Sequence, residues 1–128
     1  MEHDGPGHFF GPTVLDRLPL AADAATTEIF GPVAAVQRFA DQADALAWAN
    51  GTGFGLAGHV VTGNLDRALD VADRLATGLV GINQGVPSNA AAPFGGVTAS
   101  GLGREGSAEG LDEYQSIRFC NVARRATD

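Results

Sequence analysis

The chain has 128 residues, with eight basic against fifteen acidic side chains and a net charge of −7. All eight basic residues are Arg, scattered along the chain, which counts against a nucleic-acid binder because neutralising phosphates needs clustered Lys or Arg. A composition 45% hydrophobic and 18% charged also excludes intrinsic disorder, and the length fits one domain that buries roughly two-thirds of its unfolded surface.

Residues 1–11 hold three glycines and a proline and read as a loop, followed by a short β-prone run at Pro12–Leu15. Leu18–Glu28 is rich in Ala and Thr and carries no clear period, whereas Val33–Phe39 has the β-branched and aromatic character of a strand. Asp41 is placed to cap a helix through Asn50, with Ala43, Leu46, Ala47 and Asn50 on one face and Gly51 as a left-handed stop. Gly55–Thr62 is the next strand. Asn64 caps a second helix, in which Leu65, Ala68, Leu69, Ala72, Leu75 and Ala76 recur at helical spacing; Gly78 ends it and Leu79–Asn83 returns as a strand. Strand, helix, strand, helix, strand with short turns predicts an α/β fold, a parallel βαβαβ segment.

Residues 84–106 form a long irregular stretch, of a length that in compact domains usually serves function. Glu105–Tyr114 is expected as a short helix. Gln115–Val122 alternates, with Ile117 and Phe119 on one face, and is expected as a terminal strand in need of a partner. The expected organisation is a body at 1–114 and an oligomerisation strand and tail at 115–128.

Few motifs carry chemistry outright. Gly101-Leu-Gly103-Arg-Glu-Gly106 fits G-x-G-x-x-G in form but lacks the preceding strand and the acidic residue ~20 positions on, so a tight structural turn is the better reading. Cys120 is the one thiol, with no His near it in sequence, and is read as a packing residue. His3, His8 and His59 have no metal-ligand spacing, and no metal site is expected. Asn50-Gly-Thr52 matches a glycosylation sequon by chance. No opening stretch has the form of a secretory signal and no apolar run nears ~20 residues, so the expectation is a cytoplasmic protein without a membrane partner. Glu28-Ile-Phe30-Gly31-Pro32 is open to two readings: a carboxylate and a ring set to take vicinal hydroxyls beside a flat heterocycle, or an ordinary surface Glu ahead of a turn.

The order of several segments resembles one family. Phe9-Phe10-Gly-Pro-Thr-Val-Leu15, Glu28-Ile-Phe-Gly-Pro-Val33, Ala49-Asn50 with Phe54-Gly-Leu-Ala57, Pro93-Phe-Gly-Gly-Val97, Ser100-Gly-Leu-Gly-Arg-Glu-Gly106 and Gly110-Leu111 with Tyr114 stand as in the C-terminal quarter of the NAD(P)-dependent aldehyde dehydrogenase superfamily. The resemblance covers residues 5–122. Gly81-Ile-Asn83-Gln-Gly85-Val-Pro-Ser88 with Ala92-Pro-Phe94 is similar to the succinate-semialdehyde dehydrogenase branch.

The resemblance implies NAD or NADP as cofactor, with Glu28 taking the ribose hydroxyls of its nicotinamide half and Phe30 packing near the nicotinamide. It implies that loop 84–94 lines a tunnel for an aldehyde substrate, with Phe94 on the wall and Ser88 hydrogen-bonding the distal carboxylate of a semialdehyde acid. It places strand 115–122 in an intersubunit sheet of a homo-oligomer. In the family a Cys thiolate attacks the aldehyde, hydride leaves for the nicotinamide and a Glu base assists hydrolysis of the thioester; those residues and the Rossmann domain correspond to positions before Met1. No catalytic residue is therefore expected here, and the chain alone is expected to be inactive. Two other readings are a non-catalytic module that co-assembles with a full-length aldehyde dehydrogenase, and a nucleotide-binding domain built on Gly101–Gly106. The sequence departs from the family at Thr27, where a second Glu is usual, at Thr98 and Arg118, where a Lys is usual, and at Phe54, where Tyr is common.

Overall fold

The computed structural model describes residues 5–124. The chain divides into two compact units, Met1–Gly53 and Phe54–Asp128.

In the first unit, β1 (Thr13–Leu15) and β2 (Val33–Ala35) pair in parallel, Thr13 opposite Val33 and Leu15 opposite Ala35. The pairing runs past both ends: Thr13 N–H donates to Pro32 O (2.9 Å) and Val36 N–H to Leu15 O (2.8 Å). Beyond the strands Arg38 reaches Asp16 with two nitrogens, at 3.4 and 2.9 Å. Helix α1 (Gln42–Asn50) starts as expected, the Asp41 carboxylate accepting from Ala43 N–H. Its inward face differs from the expected one. Leu46 is buried with Gln42, Ala45 and Trp48 half-buried, while Ala43, Ala47 and Asn50 are exposed. Nor is Gly51 a left-handed stop: it keeps right-handed angles (φ −80°) and donates to Trp48 O, a tightened last turn that needs no positive φ.

The second unit contains the crossover that the pattern predicts. β4 (Ala57–Val60) and β5 (Leu79–Ile82) pair in parallel across α2 (Leu65–Arg74), Ala57 opposite Leu79 and Val60 opposite Ile82. Asn64 caps α2 by accepting from Arg67 N–H at 2.9 Å. Helix α2 stops at Arg74 rather than Ala76, because Leu75 is already extended and the chain must turn at Thr77–Gly78 into β5. Ala68 is buried on α2 and Val71, Ala72 and Leu75 are half-buried, but Leu65 and Leu69 stand 68% and 54% exposed. The predicted apolar stripe is thus wider than the face this chain covers.

The expected strand at 55–62 is two strands. β3 (Phe54–Gly55) runs antiparallel to β6 (Val97–Thr98), and the chain changes partner at Leu56 to enter β4. The α/β character holds, but as three two-stranded pieces in which β2 pairs with β1. Helix α3 (Glu109–Asp112) is a single turn within the expected 105–114.

Residues 115–124 form no strand within this chain, since none of the described residues offers them a neighbouring ladder; the expected strand takes its partner from another copy. Cys120, read as a packing residue, is exposed for the same reason.

Glycine replaces side chains in the middle of the second unit. Gly55, Gly81, Gly95 and Gly96 are buried there with Ala68 and Leu79. At Gly78 an added Cβ would lie inside the radius of the Gly95 carbonyl oxygen, so backbone rests on backbone.

Candidate functional site

Glu28 and Phe30 lie on one segment of the first unit. Gly31 N–H donates to Ile29 O (3.1 Å) and Val33 N–H to Gly31 O (2.8 Å), two successive tight turns that lead into β2. The turns leave the Phe30 ring 92% exposed and the Glu28 carboxylate exposed as well.

Ser88 and Phe94 lie in the second unit, on the loop that follows β5. Asn83 launches this loop. It sits at φ +54°, which Asn tolerates better than most residues, and its N–H completes the ladder to Val60 O at 2.9 Å. Its side chain accepts from Thr62 N–H (2.9 Å) and donates to Thr62 O (3.0 Å), imitating a further strand residue. His59 Nδ1 lies 3.0 Å from Gln84 O; a carbonyl only accepts, so Nδ1 carries the proton.

Ser88 is exposed and Phe94 half-buried. Asn89 folds the loop between them, its side chain accepting from Ala91 N–H and its carbonyl from Ala92 N–H. Phe94 then bridges to Glu105, N–H to O in both directions at 2.7 Å. A cleft of about 620 Å³ opens beside this bridge, lined by Phe94, Ser100, Arg104, Glu113 and Tyr114 among others.

Arg104 holds the glycine-rich floor of that cleft. Its Nη1 donates to Gly96 O (2.8 Å) and Gly103 O (2.8 Å) and shares a proton with the adjacent Leu102 O (3.1 Å), so one guanidinium nitrogen ties the Gly95–Gly96 segment to the turn at 102–103. The Gly101–Gly106 motif is therefore a braced turn, with Gly101 and Gly106 both at positive φ and only the single-turn α3 after it. Ser107 Oγ–H donates to Glu109 (2.5 Å) and, with the backbone N–H of Glu109 itself, holds that carboxyl below the usual carboxylate range. Among the described residues no cluster of His, Cys, Asp and Glu has the form of a metal site. No helix there is long and apolar enough to cross a membrane.

Sequence reading singled out Glu28, Phe30, Ser88 and Phe94 and took Gly101–Gly106 as a tight turn, but gave no role of their own to Asn83 and Arg104, which shape the loop. Asn83, at the end of a strand ahead of a turn-rich stretch, was the detectable signal. Thr98 is conspicuous for the opposite reason: a β-branched residue at φ +57°, paired with Phe54 in the β3–β6 ladder. Thr98→Asn is expected to stabilise the folded protein by about 1 kcal/mol, since Asn accepts left-handed angles. Amide exchange of the β3–β6 residues measures the gain as slower local opening, and unchanged or faster exchange would contradict the strain.

The α/β chain, with its glycine-braced loop set on a parallel crossover, has a fold shared with solved aldehyde dehydrogenases. Residues 1–120 match the profile of the aldehyde dehydrogenase family, and the chain belongs to that family, which uses NAD(P). It is 48% identical over 120 residues to a succinate-semialdehyde dehydrogenase of Paenarthrobacter nicotinovorans, covering 94% of this chain and 27% of the relative. Among solved structures it superposes on an E. coli NADP-dependent enzyme with a TM-score of 0.83 and 49% identity, over 88% of this chain and 23% of the other. It also superposes on an aldehyde dehydrogenase of Bacillus cereus in complex with NAD+ with a TM-score of 0.85 and 38% identity, over 89% and 23%. The chain thus spans about a quarter of the length of the relatives it matches.

Proposed function

We propose that these residues form the cofactor-side turn, the substrate loop and the docking tail of an NAD(P)-dependent semialdehyde dehydrogenase. What supports the substrate class is the likeness to a succinate-semialdehyde dehydrogenase along nearly the whole chain, which includes the loop bearing Ser88 and Phe94. When bound, NAD(P) supplies the hydride acceptor for oxidation of an aldehyde to the acid.

The residues present fit that group. Glu28 offers two carboxylate oxygens to the two ribose hydroxyls, and the Phe30 ring that would pack beside the nicotinamide stands almost fully exposed. Ser88, exposed on its loop, has a hydroxyl to donate to the distal carboxylate of a semialdehyde, and Phe94 supplies an apolar wall. Tyr114, Ile117, Phe119 and Val122 are each more than four-fifths exposed, and in this reading segment 115–122 gains its missing ladder as a strand against another copy in the cytoplasm. The same exposed tail supports a second reading, in which the chain is a non-catalytic module that docks on a full-length aldehyde dehydrogenase.

Two measurements test the first reading. The purified chain with succinate semialdehyde and either cofactor is expected to give no turnover; turnover that survives Cys120→Ser would overturn the assignment of its chemistry to other residues. A hybrid enzyme, with this chain in place of the matching quarter of the Paenarthrobacter relative, is expected to oxidise succinate semialdehyde. In it Glu28→Gln should raise the cofactor KM, and Ser88→Ala the semialdehyde KM, by about tenfold each, the loss expected for one hydrogen bond to a charged or polar partner. Unchanged constants would remove both roles.

A further inference from the structure

We propose that Gly106 is a positioning residue for substrate recognition: the left-handed turn it makes seats segment 90–94 from behind and so sets where Ser88 and Phe94 stand. The inference rests on the reading of loop 84–94 as the substrate loop.

Three observations meet at this turn. Phe94 and Glu105 exchange both backbone hydrogen bonds at 2.7 Å, and Ser107 N–H points back to Ala90 O at 3.4 Å. Both ends of segment 90–94 are therefore held by residues 105–107, with Gly106 between the two anchors. Gly106 has φ +69°, which other residues adopt at a cost, and a Cβ there would lie 3.3 Å from Ala92 O and 3.8 Å from Ala90 O. Its own carbonyl accepts from Gly110 N–H (2.9 Å), so the turn is tied to α3 and yields less readily than segment 90–94 does. A side chain at 106 would push that segment, and with it the hydroxyl and the ring on either side, away from this backing. Segment 90–94 itself carries no group that the chemistry consumes, so the effect falls on recognition of the substrate and not on the cofactor.

The test uses the hybrid enzyme with two aldehydes of equal chain length, succinate semialdehyde and butanal, which lacks the carboxylate. In Gly106→Ala the KM for succinate semialdehyde should rise about tenfold or more, as sub-ångström to ångström misplacement of a binding group does, the butanal KM by a clearly smaller factor because it senses only the Phe94 wall, and the cofactor KM should stay within about twofold. Gly106→Asn keeps access to the left-handed angles but adds the Cβ, and should show the same split. Ser107→Ala removes the hydroxyl bond to Glu109 but keeps the N–H to Ala90 and should behave as the parent. Parallel rises for both aldehydes, or no rise, would overturn the proposal; so would failure of both Gly106 variants to fold, which would make Gly106 a residue of stability. A parent hybrid that leaves succinate semialdehyde untouched would instead overturn the substrate reading.

Discussion

Purified by itself, the chain should elute from a sizing column well ahead of a 13.1 kDa monomer, bind an apolar dye and melt without a sharp transition. The cause is the ratio of covered to uncovered apolar surface. Among the described residues the buried apolar side chains are Leu46 in the first unit and Ala68 and Leu79 in the second. Against them stand twenty large apolar residues that are substantially exposed, from Phe9 and Phe10 to Ile117, Phe119 and Val122. The accessible surface is 10476 Å², where a monomeric globular protein of this mass exposes about 6,400 Å². At about 25 cal/mol per Å², apolar area on that scale drives association much more strongly than three buried side chains drive independent folding. Adding the remainder of a relative as a separate chain should suppress the dye signal. A monodisperse monomer with a steep cooperative melt would refute the account.

Gly78→Ala, introduced into the hybrid enzyme, should abolish soluble folded protein or lower its stability by about 4 kcal/mol or more, the range reserved for changes that no local adjustment absorbs. The new Cβ meets the backbone of Gly95 and Gly96, and neither partner is a flexible side-chain end. Gly95 is itself in a tight place, where even an added Cβ would meet Gly103 O and the Arg104 stem, and Arg104 is held by its bonds to three carbonyls. Gly63→Ala is the control. Nothing lies within 4 Å of a Cβ at Gly63, and that variant should fold as the parent does. A well-folded Gly78→Ala would show that β5 and the loop 95–96 can separate without loss.

The parallel crossover was legible because its signals are periodic and local: Asn64 caps, Ala68, Ala72 and Leu75 repeat at helical spacing, and two apolar runs flank them. What was not legible depends on pairings too short or too distant to leave a period. Strands β3 and β6 are two residues each, and the change of partner at Leu56 falls inside one continuous apolar run. The helix faces misread at Leu65, Leu69 and Ala47 are apolar in sequence but uncovered in this chain, so pattern alone assigns them a neighbour that the chain does not provide. The tail alternates like a strand for the same reason. At the site, motif resemblance picked out Ser88 and Phe94 and the glycines marked a tight turn, whereas the backbone carbonyls that the Arg104 guanidinium reaches, and the segment that Gly106 backs, are not displayed by a sequence.

The β3–β6 pair has a consequence for the order in which the molecule assembles and loosens. It joins Gly55 to Val97 on two rungs only, so closing it spends the entropy of a loop of about forty residues for very little ladder. The β4–α2–β5 crossover inside that loop has more rungs and shorter reach, and should form first. On warming, the sequence reverses: the two-rung clasp opens while the crossover still holds, and amide exchange should spread from residues 97–101 before it reaches β5.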